Sequence, residues 1–213
     1  IPTLAIWDSV EDIDFDALPN QFVLKCTHDS GGIVICKDKS SLDRETAKAK
    51  LSASLQRDYS RIAREWPYKD VPRRIIAEEY LSELGNNEIL DYKMYCFHGE
   101  PKITVVCSDR FSKTGTRMNF YDINWKPMGI HFGHYPPLST EFPRPETYDE
   151  MLRLAMELSK DCPFLRVDFY EIKGRLYIGE LTFFPGAGLE QFRPITKDYE
   201  LGEWLHLETV HRS

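Results

Sequence analysis

The 213-residue chain is 42% apolar and 29% charged, an ordinary balance for a folded protein with one large domain or two small lobes. Its net charge of −7 gives no electrostatic footing for sequence-independent nucleic-acid binding, and no apolar run reaches membrane-spanning length. Nothing at the start reads as a signal peptide, and five widely spaced cysteines without a CxxC pair point to reduced thiols in a cytoplasmic protein, not to disulfides or zinc.

A polar acidic entry runs from Asp8 to Asp16. "QFVLKCTHDSGGIVICKDK" then reads as strand, glycine turn and strand. "LDRETAKAKLSASLQRDYSRIAREW" predicts one amphipathic helix, with Leu51, Leu55, Tyr59, Ile62 and Trp66 on one side and Asp43 as N-cap. "RRIIAEEYL" is the next strand, running into a turn around Gly85–Asn87, and "DYKMYCFHGEPKITVVCSDR" is a hairpin turning at His98–Gly99–Glu100. The Pro-rich stretch from Tyr135 to Pro145 is a loop or crossover. Thr147-x-x-Glu150 reads as a capping box opening a helix that ends near Lys160. The order is β-β-α-β, then a larger mixed group of strands with one clear helix. The class is therefore α+β, with two lobes expected at residues 1–80 and 81–213 and a cleft between them.

The last hairpin, "LRVDFYEIKGRLYIGELTFFPGAG", carries the most chemistry. Strand alternation puts Arg166 and Asp168 on one face and Leu165, Val167 and Phe169 on the other. An odd-length loop such as Lys173–Gly174–Arg175 sets Asp168 opposite Glu180 and Arg166 opposite Thr182. A two-residue loop would turn Glu180 into the apolar face. Facing carboxylates repel, so the pair either stands solvated on an exposed face or holds a cation between them. The apolar and aromatic flanks favour the cation, and Mg²⁺ suits hard oxygen donors together with phosphate. Pro185-Gly186-Ala187-Gly188 follows at once, a turn that either offers backbone N–H groups to an anion or simply ends the strand. Near the start, Lys25 stands at a strand end before Ser30-Gly31-Gly32. That arrangement suits phosphate contact, but SGG is also a common hairpin link and the spacing is neither that of a P-loop nor of a dinucleotide fold. His131-x-x-His134 lacks a third ligand and does not read as a metal site.

Taken in order, "LPNQFVLKCTHDSGG", "RRIIAEEYL", "DYKMYCFHGEPK" and "RVDFYE…GELTFFPGAGLE" resemble the TupA-like ATP-grasp family, across essentially the whole chain. The resemblance implies an ATP-grasp fold whose two α+β lobes grip ATP in the cleft between them. It further implies that Lys25 and Lys93 touch phosphates, that Ser30, Gly31 and Gly32 cover them, and that His28 lies in the same loop within reach of ATP or substrate. Glu78, Glu79, Tyr80 and Leu81 would form the adenine-facing hinge, and Asp91 would take the ribose. Asp168, Glu180 and Thr182 would hold Mg²⁺, and Arg166, with Lys93, would act on the transferred phosphate. Gly186, Ala187 and Gly188 would lie along the substrate. The family is linked to teichuronopeptide and capsular polysaccharide synthesis, which implies a carboxylate and an amine as substrates. Two departures stand out: Thr182 occupies a position where the superfamily commonly has Asn, and the Lys25 strand comes so early that an N-terminal substrate lobe is expected to be absent or truncated.

The leading expectation is an ATP-dependent carboxylate–amine ligase. A kinase acting on a hydroxyl, a nucleotide-binding module that has lost catalysis and a glycosyltransferase are the alternatives.

Overall fold

The computed structural model describes residues 1–82, 89–108, 115–133 and 141–207. The turn expected around Gly85–Asn87, His134 and residues 135–140 of the Pro-rich stretch lie outside the described residues. The chain divides into two compact units, Ile1–Leu81 and Ser82–Ser213.

In the first unit, β1 (Thr3–Trp7), β2 (Phe22–Cys26), β3 (Val34–Cys36) and β4 (Ile75–Glu79) form an antiparallel sheet in the order β1-β4-β2-β3. Strand β1 was not anticipated. Five residues are too few to show a period, and TLAIW gains its strand from β4, with Ile6 opposite Ile76 and Trp7 opposite Ile75. Helix α1 (Arg44–Gln56) lays Ala47 and Leu51 on Phe22, Leu24, Ile75 and Ala77. Asp43 caps it as expected, accepting from the Thr46 N–H at 3.0 Å.

The single long helix expected here is broken. Asp58 accepts from the Arg61 N–H at 3.3 Å and from the Ser60 hydroxyl at 2.8 Å, which starts a separate helix α2 (Tyr59–Ala63). A side chain that offers the backbone this local acceptor competes with helix continuation. The expected apolar stripe ends with the break, since Ile62 is 64% and Trp66 65% exposed.

In the second unit, β5 (Asp91–Phe97), β6 (Glu100–Ser108), β7 (Arg117–Asp122), β9 (Phe164–Ile172) and β10 (Arg175–Thr182) make an antiparallel sheet in the order β10-β9-β5-β6-β7. The short strands β8 (His131–Phe132) and β11 (Phe192–Arg193) pair separately. Helix α3 (Tyr148–Ser159) packs Met151 and Ala155 against Met94, Cys96, Leu165, Val167 and Phe169. The opposite face buries Tyr95, Phe97, Ile103, Val105 and Phe120 under Phe132 and Leu201, the last from α4 (Ile195–Gly202), a helix the sequence reading missed.

The capping box did not form. Thr147 instead gives its N–H, at 3.0 Å, and its hydroxyl, at 2.5 Å, to the Glu171 carboxylate. Among the described residues no helix is long and apolar enough to cross a membrane.

Candidate functional site

Alternation along β5 and β9 collects Asp91, Lys93, Arg166 and Asp168 on one face of the second unit's sheet, where Lys93 lies opposite Asp168. Toward the other end of β5 the same face turns aromatic, with Tyr95 and Phe97. The charged end is nearly dry: the Asp91, Asp168 and Lys93 side chains are 1%, 2% and 12% exposed. Such burial is tolerated only when the charges satisfy one another. Lys93 Nζ lies 2.8 Å from Asp91 Oδ2 and donates to Asp168 Oδ2 as well. Arg166 clasps Asp168 with two prongs, Nε to Oδ1 at 2.7 Å and Nη2 to Oδ2 at 2.8 Å.

Burial pulls the Lys93 pKa down, but Asp168 and then Asp91 outweigh it and hold the ammonium above its ordinary value. Arg166 behaves alike, its raised pKa reflecting Asp168 in spite of burial. Burial, foremost, pushes the Tyr95 phenol up, two residues beyond Lys93, against the opposing pull of Arg166.

Glu180 faces Asp168 and Thr182 faces Arg166, the pairing expected, although the route to it differs. The turn has two residues, Lys173 and Gly174, both with positive φ (54° and 70°), and Arg175 pairs with Ile172. That register alone would reverse the face of Glu180. A bulge at Gly179, between Ile178 and Glu180, absorbs one residue and restores it. Arg166 Nη2 reaches Glu180 at 3.3 Å, and the Glu180 side chain is 45% exposed. The Thr182 hydroxyl is buried with no hydrogen-bond partner among the described residues.

Among the described residues no three His, Cys, Asp or Glu side chains cluster as a metal cage. Two facing carboxylates with an unsatisfied hydroxyl nevertheless fit Mg²⁺, which binds through one or two carboxylates and takes its other oxygens from water and phosphate. Beyond Thr182, Gly186, Ala187 and Gly188 run left-handed at φ 56°, 57° and 71°, with the Ala187 N–H donated to Phe184 O at 3.1 Å.

In the first unit, Lys25 and Glu78 project from the sheet face opposite its core and pair at 2.8 Å. Their neighbours on that face are apolar: Val23 lies opposite the exposed Ile35, and Ile76 opposite the exposed Ile6. Glu79 ends β4 and gives its N–H to Pro2 O at 3.1 Å, and Tyr80 and Leu81 follow, half-buried. Ser30 and Gly31 are exposed at the loop tip, whereas Gly32 is buried. His28 lies under the loop, 3% exposed, with Nε2 3.2 Å from Arg57 O. Sequence reasoning passed over Asp29, whose side chain is fully buried beside the glycines. The one available signal was its place in "HDSGG", an acid just before a turn.

The TupA-like ATPgrasp family model matches residues 1–206. The chain belongs to the TupA-like ATP-grasp family. Its ATP-grasp fold is also that of D-cycloserine synthetase DcsG, at TM-score 0.51 and 14% identity over 97% of this chain and 65% of that one. The TupA-like chain is further similar to a D-alanine–D-alanine ligase from Bacillus anthracis complexed with ATP (TM-score 0.49, 16% identity, 93% of this chain, 54% of that one). A third similarity is to the ATP-grasp ligase PsnB complexed with a minimal precursor (TM-score 0.42, 13% identity, 87% of this chain, 47% of that one). The TupA-like chain thus spans about half to two thirds of these structures' lengths. No curated protein matches its sequence.

Proposed function

We propose that this chain is an ADP-forming ligase that joins a carboxylate to an amine through an acyl-phosphate. The observation that carries the reading is the buried Lys93–Asp168–Arg166 cluster facing Glu180 and the unsatisfied Thr182 hydroxyl, in a member of an ATP-grasp family.

Asp168, Glu180 and Thr182 would hold Mg²⁺ through their oxygens, and what it would supply there is neutralisation of charge on the transferring phosphate. Arg166 and Lys93 are held as cations, so both present positive charge to the phosphate without any change of protonation. In the reaction, a substrate carboxylate oxygen bonds to the γ-phosphorus as its bond to the β-bridging oxygen breaks and ADP leaves. The amine nitrogen then bonds to the acyl carbon, phosphate departs and the amine gives up a proton.

In the first unit, Lys25 and the Ser30–Gly31–Gly32 loop are assigned to phosphates and Glu78 to Leu81 to the adenine. Asp91 is assigned to the ribose and the Gly186–Gly188 turn to the acyl substrate. Residues 1–80 form the smaller nucleotide lobe and residues 81–213 the larger one in this reading. The family's link to surface-polymer synthesis makes the acid a uronic acid or peptide precursor. Five free cysteines, four of them buried, favour the cytoplasm.

Release of ADP and phosphate is measured with ATP, Mg²⁺ and candidate acids and amines. Release only when both acid and amine are present is the expected result. Turnover that needs a single hydroxyl compound contradicts the ligase and indicates a kinase.

A further inference from the structure

The Asp29 carboxylate has no solvent exposure, yet it sits one residue from an exposed loop tip. Three donors hold it there. The Ser30 N–H donates to Oδ1 at 2.8 Å, the Ser54 hydroxyl donates to Oδ2, and Arg57 Nη1 stands 3.4 Å from Oδ2. Ser54 is on the last turn of α1 and Arg57 is its C-cap. Nearby side chains bind the same end of the helix: Cys26 Sγ is 3.7 Å from Leu51 O, and Arg73 Nη1 donates to Leu55 O at 2.9 Å. A carboxylate buried this deeply costs several kcal/mol in lost hydration, which its donors must offset.

The loop's own backbone is fitted to this anchor. A Cβ on Gly32 would lie 2.1 Å from Ser54 Oγ and 2.9 Å from Asp29 Oδ2, so only glycine passes between the loop and the helix. Gly31 is the reverse case, with φ +91° and open space where its Cβ would be. The loop therefore has a fixed foot at Asp29 and Gly32 and an unencumbered tip at Ser30 and Gly31.

We infer that Asp29 is a positioning residue for phosphate recognition: locked by Ser54 and Arg57, it holds the Ser30 and Gly31 backbone in the one conformation that meets a nucleoside triphosphate. This rests on the reading of the loop as phosphate-binding. Because Asp29 acts through the loop backbone, its loss weakens recognition of phosphates and leaves recognition of the base and sugar intact.

The test compares the affinities of the wild-type chain, Asp29→Asn and Ser54→Ala for ATP and for adenosine, with Mg²⁺ present. Losing one charge-assisted hydrogen bond corresponds to about a tenfold change in affinity. Both variants are expected to bind ATP about tenfold more weakly while adenosine changes by less than about twofold. Unchanged ATP affinity overturns the inference, and so does an equal loss for ATP and adenosine, which marks Asp29 as a residue of fold stability only. If Asp29→Asn fails to fold, Ser54→Ala decides alone, since it removes one hydroxyl and leaves the carboxylate. A wild-type chain that binds ATP no better than adenosine overturns the phosphate-loop reading itself, and this inference with it.

Discussion

Lys93 holds its ammonium between two carboxylates that water barely reaches. A pKa raised on folding stabilises the native state below the unfolded value and loses that contribution as pH rises through the folded one. For Lys93 the contribution is complete throughout the neutral range and is lost only above its ordinary 10.5. Cys96 follows the same sign with a different cause, because burial pushes its thiol from 9.0 up to about 11. That two-unit rise makes the native state about 2 kcal/mol less stable at pH 11 than at pH 9. A Cys96→Ala variant, which removes the titrating group, is expected to lose about that much less over the same interval in urea unfolding. Equal pH slopes in the two proteins would contradict it. At this scale the site's acids and bases were legible from residue type and parity. The ion pair between Lys93 and Asp168 was not, since it joins strands 75 residues apart in the chain. Asp29 was missed for a related reason: its burial depends on α1, whose approach no local pattern reports.

The β9–β10 hairpin shows how an element can be right in outcome and wrong in route. Residue chemistry required Asp168 and Glu180 to share a face, and they do, but through a two-residue turn and a bulge instead of an odd loop. Bulges leave only a faint sequence mark, here the glycine at position 179. A Cβ on Gly179 would stand 2.5 Å from the Tyr170 ring, and Tyr170 lies opposite Asp91 in the next strand. Gly179→Ala is therefore expected to destabilise the protein by about 1–3 kcal/mol through overpacking, and to lower ATP turnover by shifting the strand that carries Glu180. Wild-type stability in urea would refute the close approach. The broken helix has a comparable origin: the apolar spacing from Leu51 to Trp66 runs smoothly, but Asp58 starts a new helix within it, and a period count does not register a local acceptor.

The molecule as a whole was legible as an order of motifs, from Lys25 and its glycine loop to the Asp168–Glu180 hairpin, and the family match over residues 1–206 agrees. The pieces that escaped notice, β1, β7, β8, β11 and α4, are each eight residues or fewer and owe their structure to tertiary partners. Each unit has its own hydrophobic core, one beneath the sheet that presents Lys25, the other beneath the sheet that presents Asp168. The first sheet presents the Lys25–Glu78 pair among apolar neighbours and the second presents the buried charge cluster, and function turns on what the second face binds. Titration of the wild-type chain and of an Asp168→Asn, Glu180→Gln double variant with ATP and Mg²⁺ tests it most directly. The account predicts saturable Mg²⁺-dependent binding by the wild type, weakened at least about tenfold in the double variant; binding that is absent from the wild type, or equal in both proteins, would contradict it.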